Sequence, residues 1–361
     1  DTPRSSPSRF RTGFTATNTI PPTDLKPQNQ ISWEVGTEAR FLDGRVVFDA
    51  TYYSQRTEDQ IISIPRPQST GFGQRRTNVG ALSNKGVELD LSGTVIAQRD
   101  FSWRVSTSFS RNVNKVESLA EGVEQVTVES GFNSFQIRAE EGKSLGIYGV
   151  GWERDPETGR PVVDPETGLR QAGGDTRIAD LYPDFRMGFG NTFSYRGFSL
   201  GFNIDWKNGG SIFSNTVGSL RRSGVAEETA INRDGTFIDT EAVVERNGEF
   251  VDNDVPVTSM QAFWNAYADA GIIEGNVFDA SYVKLRSARI GYSLPETLIG
   301  STPIQNANIS VSGSNLLLLY SNIPHIDPET NVFGSGSIGE GYEFGTVPQT
   351  RSISVSVNLT F

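Results

Sequence analysis

The stretch "RMGFGNTFSYRGFSLGFNIDWK", residues 186–207, decides the fold. Two runs of alternating character flank the dipeptide Arg196-Gly197. In the second run Phe198, Leu200, Phe202, Ile204 and Trp206 alternate with Ser199, Asn203, Asp205 and Lys207. A period of two puts each set on its own face of a β-strand. Two such runs joined by a two-residue, glycine-containing turn predict a hairpin.

The same pattern recurs along the chain. "SWEVGTEARF" (32–41) meets "RVVFDATYYSQ" (45–55) across Leu42-Asp43-Gly44. "KGVELDLSGTVI" (85–96) meets "FSWRVSTSFSRNV" (101–113) across 97–100. "SYVKLRSARIGYSL" (281–294) meets "ANISVSGSNLLL" (307–318) across a longer connection, and "RSISVSVNLTF" (351–361) is a ninth run. Val87, Leu89, Leu91 and Val95 oppose Glu88, Asp90, Ser92 and Thr94; Trp103, Val105 and Phe109 oppose Arg104, Ser106, Ser108 and Ser110. One run slips. In 281–294, Val283 and Leu285 fall on the opposite face from Ile290, Tyr292 and Leu294. A bulge near Ser287, or a rim segment above the bilayer, accounts for the change of phase.

Composition first suggests a soluble protein: hydrophobic residues are 36% and mean hydropathy is −0.36. No run of 18 or more apolar residues is present, which leaves no transmembrane helix. A transmembrane barrel, however, shows lipid an apolar residue only at every second position, so average hydropathy hides it. The absence of Cys excludes disulfides and thiolate chemistry. Net charge is −11, and residues 117–185 hold fourteen Asp/Glu against six Lys/Arg. That balance argues against nucleic acid as a partner.

Between the hairpins lie long connections, at about 57–84, 116–185, 208–280 and 319–350. Compact soluble sandwiches seldom carry such segments. Tight turns at one end and long loops at the other are the asymmetry of an outer-membrane barrel. Strands of about ten residues fit a tilted bilayer crossing. Tyr52, Tyr53, Trp103, Tyr195, Trp206 and Tyr292 fall near strand ends, as interfacial girdles require. The expected fold is therefore all-β, a transmembrane antiparallel β-barrel with long extracellular loops. Residues 1–30 are expected as an irregular extracellular lead-in and 31–361 as barrel. Nine strands cannot close alone, since single-chain bacterial barrels have an even number. The expectation is the C-terminal part of a larger barrel.

The loops have internal order. "DPETGRPVV" (155–163) is echoed by "DPETGLRQA" (164–172), and "RDGTFI" (233–238) by "RNGEFV" (246–251), so small hairpins are expected there. "VTSMQAFWNAYADAG" (257–271) predicts a helix capped by Thr258 or Ser259 and stopped by Gly271.

No catalytic set emerges. Gly334-x-Gly336-x-x-Gly339 spells a dinucleotide fingerprint but lacks the βαβ context and reads as a loop. His325, the only histidine, makes neither a triad nor an ordinary zinc site alone. No metal or cofactor is expected. At most, Ca²⁺ would sit on Asp252 and Asp254, or on Asp155, Glu157, Asp164 and Glu166, where turn roles compete. Tyr148, Trp152, Trp264 and Tyr267 lie in the two longest loops, where aromatic faces can stack on sugar rings or peptide side chains. The competing reading is packing inside the folded loop. Glu88, Asp90, Arg104, Asp205 and Lys207 are expected to face a polar lumen.

Several blocks, in order, resemble the C-terminal half of the SusC-like TonB-dependent transporters of the Bacteroidetes outer membrane. They are "NKGVELDL" (84–91) with "FSWRVSTSFSRNVNKV" (101–116), "YPDFRMGFGNTFSYRGFSLGFNIDWKNGGSIFSNT" (182–216), "DASYVKLRSARIGYSLPETLI" (279–299), then "VSGSNLLLL", "IDPET" and "VPQTRSISVSVNLTF". Arg196 stands where that family usually has Lys. The resemblance covers about residues 30–361. It implies that the chain holds nine strands of a roughly 22-stranded barrel, a plug and TonB-binding segment absent from this chain, and a SusD-like lipoprotein lid. The implied function is bacterial outer-membrane import of oligosaccharides or peptides, not catalysis. The alternative is a structural or secretion-associated barrel that scaffolds surface proteins.

Overall fold

The computed structural model describes residues 19–20, 24–65, 72–78, 80–120, 122–233, 235–269, 271–332 and 340–361. Nine strands form one antiparallel sheet. They are β1 (Asn29–Phe41), β2 (Val46–Glu58), β3 (Ala81–Ala97), β4 (Phe101–Ser118), β5 (Pro183–Tyr195), β6 (Phe198–Gly209), β7 (Tyr282–Ser293), β8 (Asn306–Ser321) and β9 (Ser352–Thr360). Spatial order follows chain order, so every strand pairs with its sequence neighbour. All nine predicted runs are strands. β3 and β4 are longer than expected, at 17 and 18 residues, because their ends continue beyond the alternating segment and bury Val116 and Asn114 under the loops.

The tight turns gather at one end. In Arg196-Gly197 both residues have positive φ, 45° and 86°. Left-handed residue conformation at both central positions makes a turn whose own twist matches the right-handed twist of the flanking strands. Gly197 has a second reason to be glycine: a Cβ there would lie 2.9 Å from the Ser293 carbonyl oxygen.

The slip in β7 is a bulge. Asn203 pairs with Ser287 and Ile204 with Leu285, which leaves Arg286 as the extra residue. Two residues against one restore the phase. Val283 and Leu285 thereby share the apolar face with Ile290 and Tyr292. That face also carries two aromatic groups. Trp103 with Phe193 (5.6 Å between ring centres) and Phe198 with Tyr292 (4.3 Å) lie near the tight turns. Phe109, Phe185 and Trp206 form the second group near the long segments. Tyr195, paired with Phe198 at the level of the first group, stands ten residues from Phe185 on β5. At about 3.3 Å per residue and about 40° of tilt, the groups stand roughly 25 Å apart, the height of a lipid-facing band.

The long segments fold together as a body with its own core. Phe135, Ile137, Ile147, Phe213, Ile273 and Tyr342 are all essentially inaccessible. The Phe213 and Tyr342 rings stack at 5.6 Å, and Phe135 packs on Tyr342 at 4.7 Å. Helix α1 (Asn215–Arg222) is capped by Ser214. The buried carboxylate of Glu343 also accepts from Thr216 N–H at 3.3 Å, so a negative group sits at the positive helix end.

Helix α2 (Met260–Tyr267) is capped by Ser259, one of the two expected caps. It stops four residues short of Gly271, because the following chain turns back and Ile273 N–H donates to the Val150 carbonyl. "RNGEFV" makes the expected hairpin, with Val243–Arg246 paired to Glu249–Asp252. Within the expected irregular lead-in, Thr19–Ile20 pairs in parallel with Gln74–Arg75.

Candidate functional site

The polar face of the sheet is built by register. One row crosses Glu88, Ser110, Arg186, Lys207 and Tyr282; the next crosses Asp90, Ser108, Gly188, Asp205 and Lys284. Ser110 in the first row, and Ser108 and Gly188 in the second, leave a furrow between the charged groups. The bulge aims Arg286 onto this face, where its Nε donates to Asp205 at 2.5 Å.

A strap formed by residues 322–332 covers the end of this face nearest the loops. An Asp-capped turn shapes it: Asp327 Oδ1 accepts from Glu329 N–H at 3.1 Å, and Thr330 Oγ1 donates to the Asp327 carbonyl at 2.7 Å. Glu329 is thereby presented to the wall. Arg286 grips it with two parallel bonds of 2.8 and 2.6 Å. Lys284 donates at 2.7 Å and Tyr282 at 2.7 Å. Lys284 also meets Asp327 at 2.5 Å, and its side chain is only 3% exposed. Burial of Glu329 opposes its charge, but the Arg286, Lys284 and Tyr282 donors prevail and hold its pKa down at about 2. A fork-to-carboxylate pair of this kind fixes geometry as well as charge.

Of the five residues expected on the polar face, the structure brings four together. Glu88, Asp90, Asp205 and Lys207 line one cleft of about 330 Å³ with Arg286 and Glu329. Arg104 lies nearer the tight turns, in a separate hollow of about 370 Å³ with Thr192 and Arg289. Sequence reasoning did not single out Arg186, Lys284, Arg286, Asp327 or Glu329. Two signals for them were present: the phase slip around Arg286, and the Asp-Pro-Glu-Thr turn that carries Asp327 and Glu329.

The four loop aromatics are placed as follows. Trp152, Trp264 and Tyr267 form one cluster, with Trp152–Tyr267 at 4.9 Å and Trp264–Tyr267 at 5.6 Å. The Arg170 guanidinium sits 4.4 Å over Trp152, and that of Arg221 lies 5.6 Å from Trp264. Tyr148 stands apart and buried, its hydroxyl donating to Glu140 and accepting from Arg177 at 3.0 Å. Cations and neighbouring rings occupy these faces, which places them inside the folded loop body. Trp264 and Tyr267, only half buried, keep some surface in contact with solvent.

The acidic loop residues are held by local bonds. Asp155 caps its own turn through the Glu157 N–H at 3.0 Å, and Asp164 does the same through Thr167 N–H at 2.8 Å. The two DPETG echoes thus make the same structure twice. The Asp252 carboxylate meets Arg160 at 2.6 Å, and Asp254 meets Arg246. His325 faces Glu228 at 3.0 Å. The glycine run Gly334–Gly339 lies outside the described residues.

Comparison with known proteins agrees with this architecture. The family model described as "TonB dependent receptor-like, beta-barrel" matches residues 3–123. TonB-dependent receptor P3 of Formosa agariphila is 28% identical over 94% of this chain, which spans 34% of that receptor. TonB-dependent receptor SusC of Bacteroides thetaiotaomicron is 26% identical over 50% of this chain and 19% of its own length. The RagAB peptide importer in its open-open state superposes with a TM-score of 0.67 at 22% identity, over 94% of this chain and 35% of the other, a likeness of fold. The chain therefore spans about a third of the length of the curated relatives it matches along most of its length. The matched family model, the relatives and the strand architecture thus agree in likeness: this chain is similar to the β-barrel region of TonB-dependent receptors, SusC among them.

Proposed function

We propose that the chain forms the C-terminal part of the wall of an outer-membrane importer, with the tight turns at the periplasmic side and the loop body outside. One observation carries this reading: a nine-stranded sheet with an apolar face bounded by two aromatic groups and a charged opposite face. The apolar face meets lipid, and the two rows that carry Glu88, Asp90, Asp205 and Lys207 meet a wet lumen.

Among the described residues, Asn29–Phe41 and Ser352–Thr360 pair on one side only. An open edge in hydrocarbon leaves unpaired N–H and C=O groups that cost several kcal/mol each. The remaining strands, and the plug that TonB would act upon, come in this reading from the rest of a longer protein. A SusD-like lipoprotein would close over the loop body. The cargo is an oligosaccharide or a peptide, and the shared fold with a peptide importer favours peptide. Passage, not bond cleavage, is the function.

The test is uptake. Cells lacking the complete protein would be given labelled oligopeptides and oligosaccharides, with and without an active TonB system. Loss of uptake of one class, restored by the complete gene only when TonB is active, is expected. Uptake indifferent to both the gene and TonB would overturn the reading.

A further inference from the structure

Strand pairing leaves one arrangement on the polar face unexplained. Arg186 and Lys207 stand directly opposite each other across β5 and β6. Like charges in directly opposed positions repel. Neither has a close counter-ion. Arg186 meets Glu340 at 3.4 Å with both side chains largely exposed, and among the described residues no carboxylate lies within ion-pair distance of Lys207. Of the other acids on this face, Glu329 is engaged by Tyr282, Lys284 and Arg286, and Asp205 by Arg286, while Glu88 and Asp90 line the adjoining cleft and form no ion pair with either cation.

The two cations open into a cavity of about 210 Å³ under the strap, lined also by Tyr282, Thr330, Asn331, Glu340 and Glu329, whose charge is already met by Arg286 and Lys284. The side-chain oxygen of Asn331 is buried and, among the described residues, has no partner. A pair of opposed cations, one lacking an acid partner, beside an unused carboxamide oxygen is a site short of a ligand. The missing group is anionic, and the atoms bearing it offer an N–H or O–H to Asn331. The cavity admits a carboxylate and the few atoms around it, not an oligomer.

We infer that this cavity is a subsite for a carboxylate carried by the cargo, an inference that rests on the importer reading above. Arg186 would take the carboxylate through its planar fork, exchanging the long contact to Glu340 for a shorter one, while Lys207 supplies a point charge. The repulsion across β5 and β6 is relieved when the anion arrives. An acidic peptide and a uronate-bearing oligosaccharide both carry this group.

The experiment is binding to the complete purified receptor by titration calorimetry. Four probes are used: a mixed oligopeptide pool with free carboxylates, the same pool methyl-esterified, an oligogalacturonate, and its methyl ester. The wild type is expected to prefer a free acid over its ester by about tenfold or more, and Lys207→Met and Arg186→Gln are expected to shrink that preference to about twofold or less. Discrimination in the peptide pair alone assigns the carboxylate to peptide, and in the sugar pair alone to a sugar acid. Equal binding of acid and ester by the wild type, or a preference unchanged in both variants, overturns the inference. Heat-modifiable gel mobility reports barrel assembly. If Lys207→Met fails to assemble, Arg186→Gln decides, because the Arg186 side chain is half exposed. Charge preference in vitro without uptake by cells would sink the importer reading and leave the subsite standing.

Discussion

At the scale of single residues, Glu329 is the point where strap and wall meet. Its pKa is depressed, to about 2 from an ordinary 4.5. A depressed carboxylate contributes stability that is fully present above its unfolded value and is lost as pH falls toward the folded one. Protection of residues 322–331 from hydrogen exchange should therefore be flat above about pH 4.5 and decline between about 4.5 and 2. Decline beginning near neutrality would contradict this. Removing the carboxylate, as in Glu329→Ala, strands two cations. Breaking a buried ion pair costs about 3–5 kcal/mol. The low end is expected here, because Lys284 keeps Asp327 and Arg286 keeps Asp205. Denaturant-dependent proteolysis of the strap measures it. Asp205 and Lys207 were legible from alternation alone. Glu329 was not, because its role depends on a strap returning across more than forty residues to reach Arg286.

At the scale of elements, the wall is governed by depth and phase. Along β6, Phe198 belongs to one aromatic group and Trp206 to the other, so Ile204 and Phe202 lie between them. Phe202→Arg, midway between the groups, should cost about 2–4 kcal/mol in assembly, whereas Phe198→Arg at the interface should cost about 0–1 kcal/mol. Asn203→Arg, on the polar face, should also be mild in that measurement. Heat-modifiable mobility of the complete protein orders the three, and equal losses would refute the assignment of faces. Phase is tested by deleting Arg286. Without the bulge, one half of β7 must present its side chains to the wrong face, since a one-residue slip exchanges every side chain between faces. Assembly should fail, while Arg286→Gln, which keeps the count, should assemble and loosen the strap.

At the scale of the whole molecule, wall and loop body are stabilised by different physics. In the importer reading the wall depends on lipid and on neighbouring strands; the loop body has a packed core of its own around Phe135, Phe213 and Tyr342. Phe135→Ala should cost the loop body about 3–5 kcal/mol. Protease susceptibility of residues 120–180 should rise while gel mobility of the barrel stays unchanged. Loss of both together would show that the two regions fold as one unit.

The amino-acid sequence by itself determined the strands, their faces and their order. Period-two alternation and tight turns are local signals, and a meander needs nothing else to be placed. It carried the family resemblance on the same ground, because the motifs fall within these strands and turns. Only the tertiary structure decided which charges meet. The bulge at Arg286, the return of the strap with Asp327 and Glu329, the burial of Tyr148 and the clustering of Trp152, Trp264 and Tyr267 all depend on contacts between segments far apart in the chain. An alternating pattern tells each side chain which face it takes; it does not tell which distant segment will fold back to cover it.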